Sequence, residues 1–124
     1  MHNFRKLQIW QIGIELNRDV YTLVKSFPAA DKYILTSQIL RSSISIPSNI
    51  AEGSGRKTDK EFKQYLSIAI GSSYELETQL IIAETYGYIS SEQLEIISNK
   101  LIELQKKIVK FRNQLKTQSV VHIP

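Results

Sequence analysis

Apolar residues recur at steps of three and four over four stretches of the chain, and no stretch shows the strict alternation of a strand. The first covers residues 7–27. Ile9, Ile12, Leu16, Val20, Leu23 and Phe27 make one face of a helix, with Trp10, Ile14, Tyr21 and Val24 in a second row beside it. The two rows form a stripe wider than one core requires. It reads either as a generous core face or as a core face plus a contact with another subunit, for which Trp10 is the candidate anchor. Pro28 closes this helix, because the residue before a proline is pushed out of the helical region.

The second stretch spans residues 31–53, with Asp31 placed to cap its start. Its apolar row is Leu35, Ile39, Ser42 or Ser43, Ile46 and Ile50, and a polar row of Gln38, Arg41, Ser45, Asn49 and Glu52 runs alongside. Both rows keep helical spacing across Pro47, which predicts one helix kinked near Pro47, with two short helices as the competing reading. Gly53-Ser54-Gly55 then predicts a left-handed stop.

Thr58 and Glu61 have the spacing of a capping box and open a third helix over residues 59–86. Phe62, Leu66, Ala69, Ser73, Leu76, Leu80 and Ala83 are its core face. Gly71, among small residues in mid-helix, suggests a close approach of another backbone. Gly87 ends that helix. Ser90 and Gln93 offer a second box for a fourth helix over residues 91–116, where Leu94, Ile97, Leu101, Leu104, Ile108, Phe111 and Leu115 alternate steps of three and four without a miss. Four long helices with short links predict an all-α, antiparallel up-down-up-down four-helix bundle, and the 124 residues read as a single domain.

Composition narrows the chemistry. There is no cysteine, which removes disulfides, thiolate metal sites and thiol nucleophiles and suits a cytoplasmic location. No run approaches the roughly 20 apolar residues that span a bilayer, so no membrane partner is expected. His2 and His122 are the only histidines. Both sit near the ends of the sequence in segments read as frayed, and neither forms a Glu-x-x-His pair, so no metal or cofactor is expected. No serine stands in a recognisable nucleophile–base arrangement, which points away from an enzyme.

The net charge of +4 directs attention to two basic clusters. Arg56 and Lys57 enter the third helix from a Gly-flexible loop, and a helix N-terminus attracts anions. A solvated turn fits the same residues. On the fourth helix, Lys100, Lys106, Lys107, Lys110, Arg112 and Lys116 face a single acid, Glu103. They fit an ordinary solvated helix back, whose C-terminal cations the dipole favours, or a stripe for a phosphate backbone. A ring of identical subunits would multiply the stripe and favour the second reading. In the polar row, Arg41 and Asn49 are expected to pair with Glu75 or Glu77 of the third helix, with Glu52 in the same network.

Trp10, Phe27-Pro28, the block from Gln38 to Arg56, Glu61-Phe62 and the run Gly71-Ser72-Ser73-Tyr74-Glu75-Leu76-Glu77 together resemble the bacterial four-helix-bundle proteins encoded by intervening sequences within 23S rRNA genes. The similarity extends from about Phe4 to Leu115 and is strongest over Ser45–Gly53. It implies a bundle assembling into a homopentamer. It also implies kinship with the accessory variability proteins of diversity-generating retroelements, which are basic pentamers that bind nucleic acid and a reverse transcriptase. It supplies no catalytic residues. The expected function is therefore that of a non-enzymatic, oligomeric protein binding RNA or DNA through the fourth-helix cations and the Arg56-Lys57 loop. The alternative is an adaptor ring for a partner enzyme.

Overall fold

The computed structural model describes residues 2–116, which leaves the tail with His122 outside the described residues. Four α-helices carry the fold: α1 Gln8–Val24, α2 Ser37–Ser54, α3 Asp59–Thr85 and α4 Ser91–Gln114. A 3₁₀ turn at Phe4–Lys6 precedes α1. A second at Ala29–Asp31 and a π-helical turn at Lys32–Thr36 lead into α2.

Cross-helix contacts fix the direction of each helix. Gly13 lies against Pro47 and Asn17 bonds Ser43, so α1 and α2 run oppositely. Ser45 meets Ser72, while Ser42, nearer the start of α2, meets Gln79 further along α3. Arg112 reaches Ser67, Gln105 reaches Glu77 and Ser91 reaches Glu84, which sets α4 antiparallel to α3. Lys100 bonds Asp19 and closes the cycle between α4 and α1. Val20, Ile39, Ile46, Leu66, Leu80 and Leu101 meet along the axis with no exposed surface. Burying an aliphatic side chain of this size contributes about 1.5–3 kcal/mol.

The N-terminal segment is packed, not frayed. His2 donates its backbone N–H to the Ser54 carbonyl at 2.9 Å, and its ring lies 5.0 Å from that of Phe62 and 6.2 Å from that of Phe111. Asp31, expected to cap α2, instead accepts a hydrogen bond from the Tyr88 hydroxyl and ties the α1–α2 connection to the α3–α4 connection. Helical structure continues from Ala29 onward, so the cap was not needed there. α2 passes through Pro47 as one helix.

The glycines are used differently from the expectation. Gly55 has φ −88°, so α2 ends without a left-handed residue. Gly87, at φ +81°, is the residue that does adopt that conformation, and the Tyr88 N–H reaches back to the Ala83 carbonyl at 2.9 Å. Gly71 has open space around it, whereas a Cβ on Gly53 would fall 2.6 Å from Tyr65 Cβ and 2.9 Å from Phe62 Cδ1. The close approach of α2 and α3 is therefore at Gly53. Thr58 caps α3 through the Glu61 N–H, while the Glu61 carboxylate meets the Thr58 hydroxyl instead of a backbone N–H. At α4, Ser90 and Gln93 form the complete reciprocal box.

The two glycines should respond to alanine with opposite sign. Gly71→Ala should raise stability by about 0.5–1 kcal/mol, the usual helix-interior gain. Gly53→Ala should lower it by about 1–2 kcal/mol, because overpacking of about 1–3 kcal/mol exceeds that gain. Urea melts of both variants measure the difference.

The Tyr88–Asp31 bond holds the Tyr88 phenol above its ordinary value of 10.0, chiefly through the hydrogen bond itself and secondarily through burial and the Asp31 charge. A group whose value is raised by folding contributes stability that is complete below the unfolded value and lost as pH climbs through the folded one. The stability difference between the native chain and Tyr88→Phe should therefore shrink as pH rises past about 10. Thermal melts of the two proteins from neutral to alkaline pH read this out.

Candidate nucleic-acid interface

The antiparallel order collects the C-terminus of α2, the N-terminus of α3, the C-terminus of α4 and the N-terminal turn at one end of the bundle. His2 contacting Ser54, Asp59 and Phe111 shows all four there. A cut at the level of the Ser45–Ser72 bond assigns residues 2–14, 46–71 and 105–116 to this half. It carries eleven of the 16 Lys and Arg residues and three of the 12 Asp and Glu residues. The opposite half has five cations against nine carboxylates. The modest net charge thus separates into an excess of eight positive charges at one end and four negative charges at the other. Arg5, Lys6, Lys60 and Lys63 belong to this end. They were not singled out from the sequence because they are scattered along it, and only the helix directions bring them together.

The proposed cations differ in how free they are. Arg56 is held: its guanidinium stacks 4.7 Å from the centre of the Tyr65 ring and donates to Glu52 at 2.9 Å and to the Tyr65 hydroxyl at 2.5 Å. Its Nε is buried without a partner. The α3 N-terminus is likewise served by its own residues, with Thr58 taking the Glu61 N–H and Asp59 and Glu61 in the first turn. An anion in that loop would meet three carboxylates, so Lys57 is the loop cation left exposed.

On α4, Lys100 is 2.7 Å from Asp19 and lies in the other half of the bundle. Arg112 extends over α3 to the Ser67 hydroxyl at 3.2 Å. Lys106, Lys107, Lys110 and Lys116 make no ion pair among the described residues. Between Leu104 and Lys116 there are five cations and no acid. Lys106 and Lys110 rim a groove of about 580 Å³ between α3 and α4, with Tyr74, Ile102 and Val109 in its wall.

The polar network forms with other members than expected. Arg41 is exposed and makes no ion pair among the described residues. Asn49 turns back to its own helix, donating to the Ser45 carbonyl at 2.8 Å. Glu77 accepts from Gln105 of α4 at 3.1 Å. Ser42 donates to Gln79 at 2.9 Å with Glu75 3.3 Å away, and Ser45 bonds Ser72 at 2.8 Å. The α2 groups that bridge helices are thus serines, with Ser42 and Ser43 buried and Ser45 half-buried. Arg41 misses Glu75 because its position on α2 faces solvent.

Trp10 is half-buried, edge-on to Phe4 at 5.1 Å. With Ile14, Ile44 and Pro47 it lines a shallow groove between α1 and α2. Ile44 is 53% exposed and also borders a larger groove of about 670 Å³ with Tyr33, Leu40 and Arg41. Among the described residues no group of three or more His, Asp or Glu side chains is placed to hold a metal ion, and no helix is long and apolar enough to cross a membrane.

A four-helix bundle with one basic end is the class that this fold and surface define. The chain belongs to the 23S rRNA-intervening sequence protein family, whose model matches residues 5–110. It is similar to a crystal structure from Bacteroides thetaiotaomicron VPI-5482, described as a protein of unknown function from the S23 ribosomal protein family. That similarity has a TM-score of 0.79 at 28% identity and covers 86% of this chain and 99% of that one. No curated protein matches the sequence.

Proposed function

We propose that this protein is a non-enzymatic, cytoplasmic accessory protein that assembles with copies of itself and binds RNA or DNA through the basic end of its bundle. The observation that carries the reading is the axial separation of charge, with lysines free of ion pairs concentrated where carboxylates are scarce. Such a surface gains affinity by releasing counterions from a phosphate backbone, so binding must weaken steeply with salt. If four phosphates are neutralised, affinity should fall roughly a hundredfold between about 50 and 200 mM salt. Anisotropy titrations with structured RNA, single strands and duplex DNA measure this. Replacing Lys106 and Lys110 together by glutamate should reduce both the affinity and the salt slope. Lys100→Gln should change neither, because Asp19 already neutralises that charge. Absence of binding at micromolar protein, or binding indifferent to salt, overturns the proposal.

Self-association rests on the apolar face around Trp10, Ile14 and Ile44, which the four-helix core leaves partly uncovered. The assembly is a homopentamer in this reading, so light scattering should give a mass near five times the 14.2 kDa of the chain. Ile44→Glu should lower that mass without unfolding the subunit, since Ile44 is outside the core. A native chain that scatters as a monomer removes the assembly.

A further inference from the structure

We propose that the groove between α3 and α4 is a subsite for one unstacked base of a single-stranded nucleic acid, with Tyr74 as the stacking platform and Lys106 and Lys110 on the flanking phosphates. The proposal deepens the nucleic-acid reading above and rests on it. Four tyrosines of this bundle are markedly exposed, Tyr21, Tyr33, Tyr74 and Tyr86. Lys25 covers the ring of Tyr21 at 5.1 Å, Lys32 covers that of Tyr33 at 5.6 Å, and Tyr86 packs against Tyr88 at 5.7 Å. Tyr74, 53% exposed, has neither a cationic nor an aromatic partner among the described residues. Its ring is thus the uncommitted one, and it lines the groove that the α4 lysines rim.

The other groups in the groove suit the same occupant. Ile102 and Val109 give an apolar wall on which a flat ring loses little by leaving water, and the side-chain amides of Asn113 and Gln114 offer donors and acceptors for base edges. Glu77 is held by the neutral amide of Gln105 and pairs with neither lysine, so Lys106 and Lys110 keep their ammonium groups free at the rim. Stacking on an aromatic ring between cations that track the backbone is the general chemistry of single-strand recognition. A duplex keeps its base faces stacked inside and has nothing to offer Tyr74. An acidic peptide would satisfy the lysines but leave the ring unused.

The test uses the full chain with fluorescein-labelled oligo-U, oligo-dT and a duplex of the same length, all at low salt. The native protein should prefer single strands to the duplex, with the oligo-U and oligo-dT arms separating RNA from DNA. Tyr74→Ala should weaken single-strand binding about tenfold, the order expected for one stacked base. Tyr74→Phe, which keeps the ring, should bind as the native chain does, and both variants should bind the duplex unchanged. Ultraviolet crosslinking should place the oligonucleotide on the peptide that contains Tyr74. The proposal is overturned if Tyr74→Ala binds single strands normally, or if its duplex binding falls equally. Loss of the groove alone is recognised by native binding to all three probes that Tyr74→Ala leaves intact. If the native chain binds none of them, the basic-end reading falls as well.

Discussion

The bundle depends on how closely its neighbours approach α2. On one flank Gly13 of α1 leaves room for Pro47, and a Cβ there would come within 3.3 Å of the proline Cβ. On the other flank Gly53 gives up its side chain to Tyr65 and Phe62 of α3. Before both points on α2 the contacts are made through serine hydroxyls: Asn17 to Ser43 at 2.8 Å, Ser45 to Ser72 at 2.8 Å and Ser42 to Gln79 at 2.9 Å. A proline inside a helix removes a backbone hydrogen bond and costs about 3 kcal/mol in isolation. Here it is fully packed, and the contact with Gly13 recovers dispersion and burial that a longer-range packing would forgo. Small residues along α2 are therefore the condition for the other helices to close on it.

That condition was only partly legible in the sequence. The apolar rows of all four helices were, because a period near 3.6 residues is imposed by the core whatever the helix partners are. Leu35, Ile39, Ile46 and Ile50 are buried as their spacing required, and so are Phe62, Leu66 and Leu80. What periodicity does not encode is rotation about the axis at the level of one side chain. Gly71 and Gly53 look alike in a string of small residues, yet one faces solvent and the other touches Tyr65. Arg41 likewise sits one position beyond the contact that Ser42 makes, and that single step separates a solvated cation from a bridge between helices.

The basic site shows the same division. The run of lysines on α4 could be read directly, and the pairing of Lys100 with Asp19 could not, because the partner lies on the first helix. Arg56 was a natural candidate for an anion ligand on sequence grounds. In the fold it is spent on Glu52 and the Tyr65 ring, where it joins the end of α2 to α3. Its role there is architectural, and the availability of a cation has to be judged from its partners.

Antiparallel topology then turns a weak overall charge into a directed one. In an up-and-down bundle each end combines the C-terminus of some helices with the N-terminus of others, so cations placed late in α4 stand beside those placed early in α3 and before α1. Dipole effects alone would put cations at helix C-termini and anions at N-termini, and at the basic end the α4 C-terminus carries Arg112 in its last turn. But Arg5 and Lys6, just before α1, and Lys60, in the first turn of α3, add positive charge where that effect disfavours it. Capping and dipole compensation therefore account for only part of the excess. The remainder opposes the field of the fold and raises repulsion among like charges. A polyanion bound at this end would relieve that repulsion by the same contacts through which it is recognised.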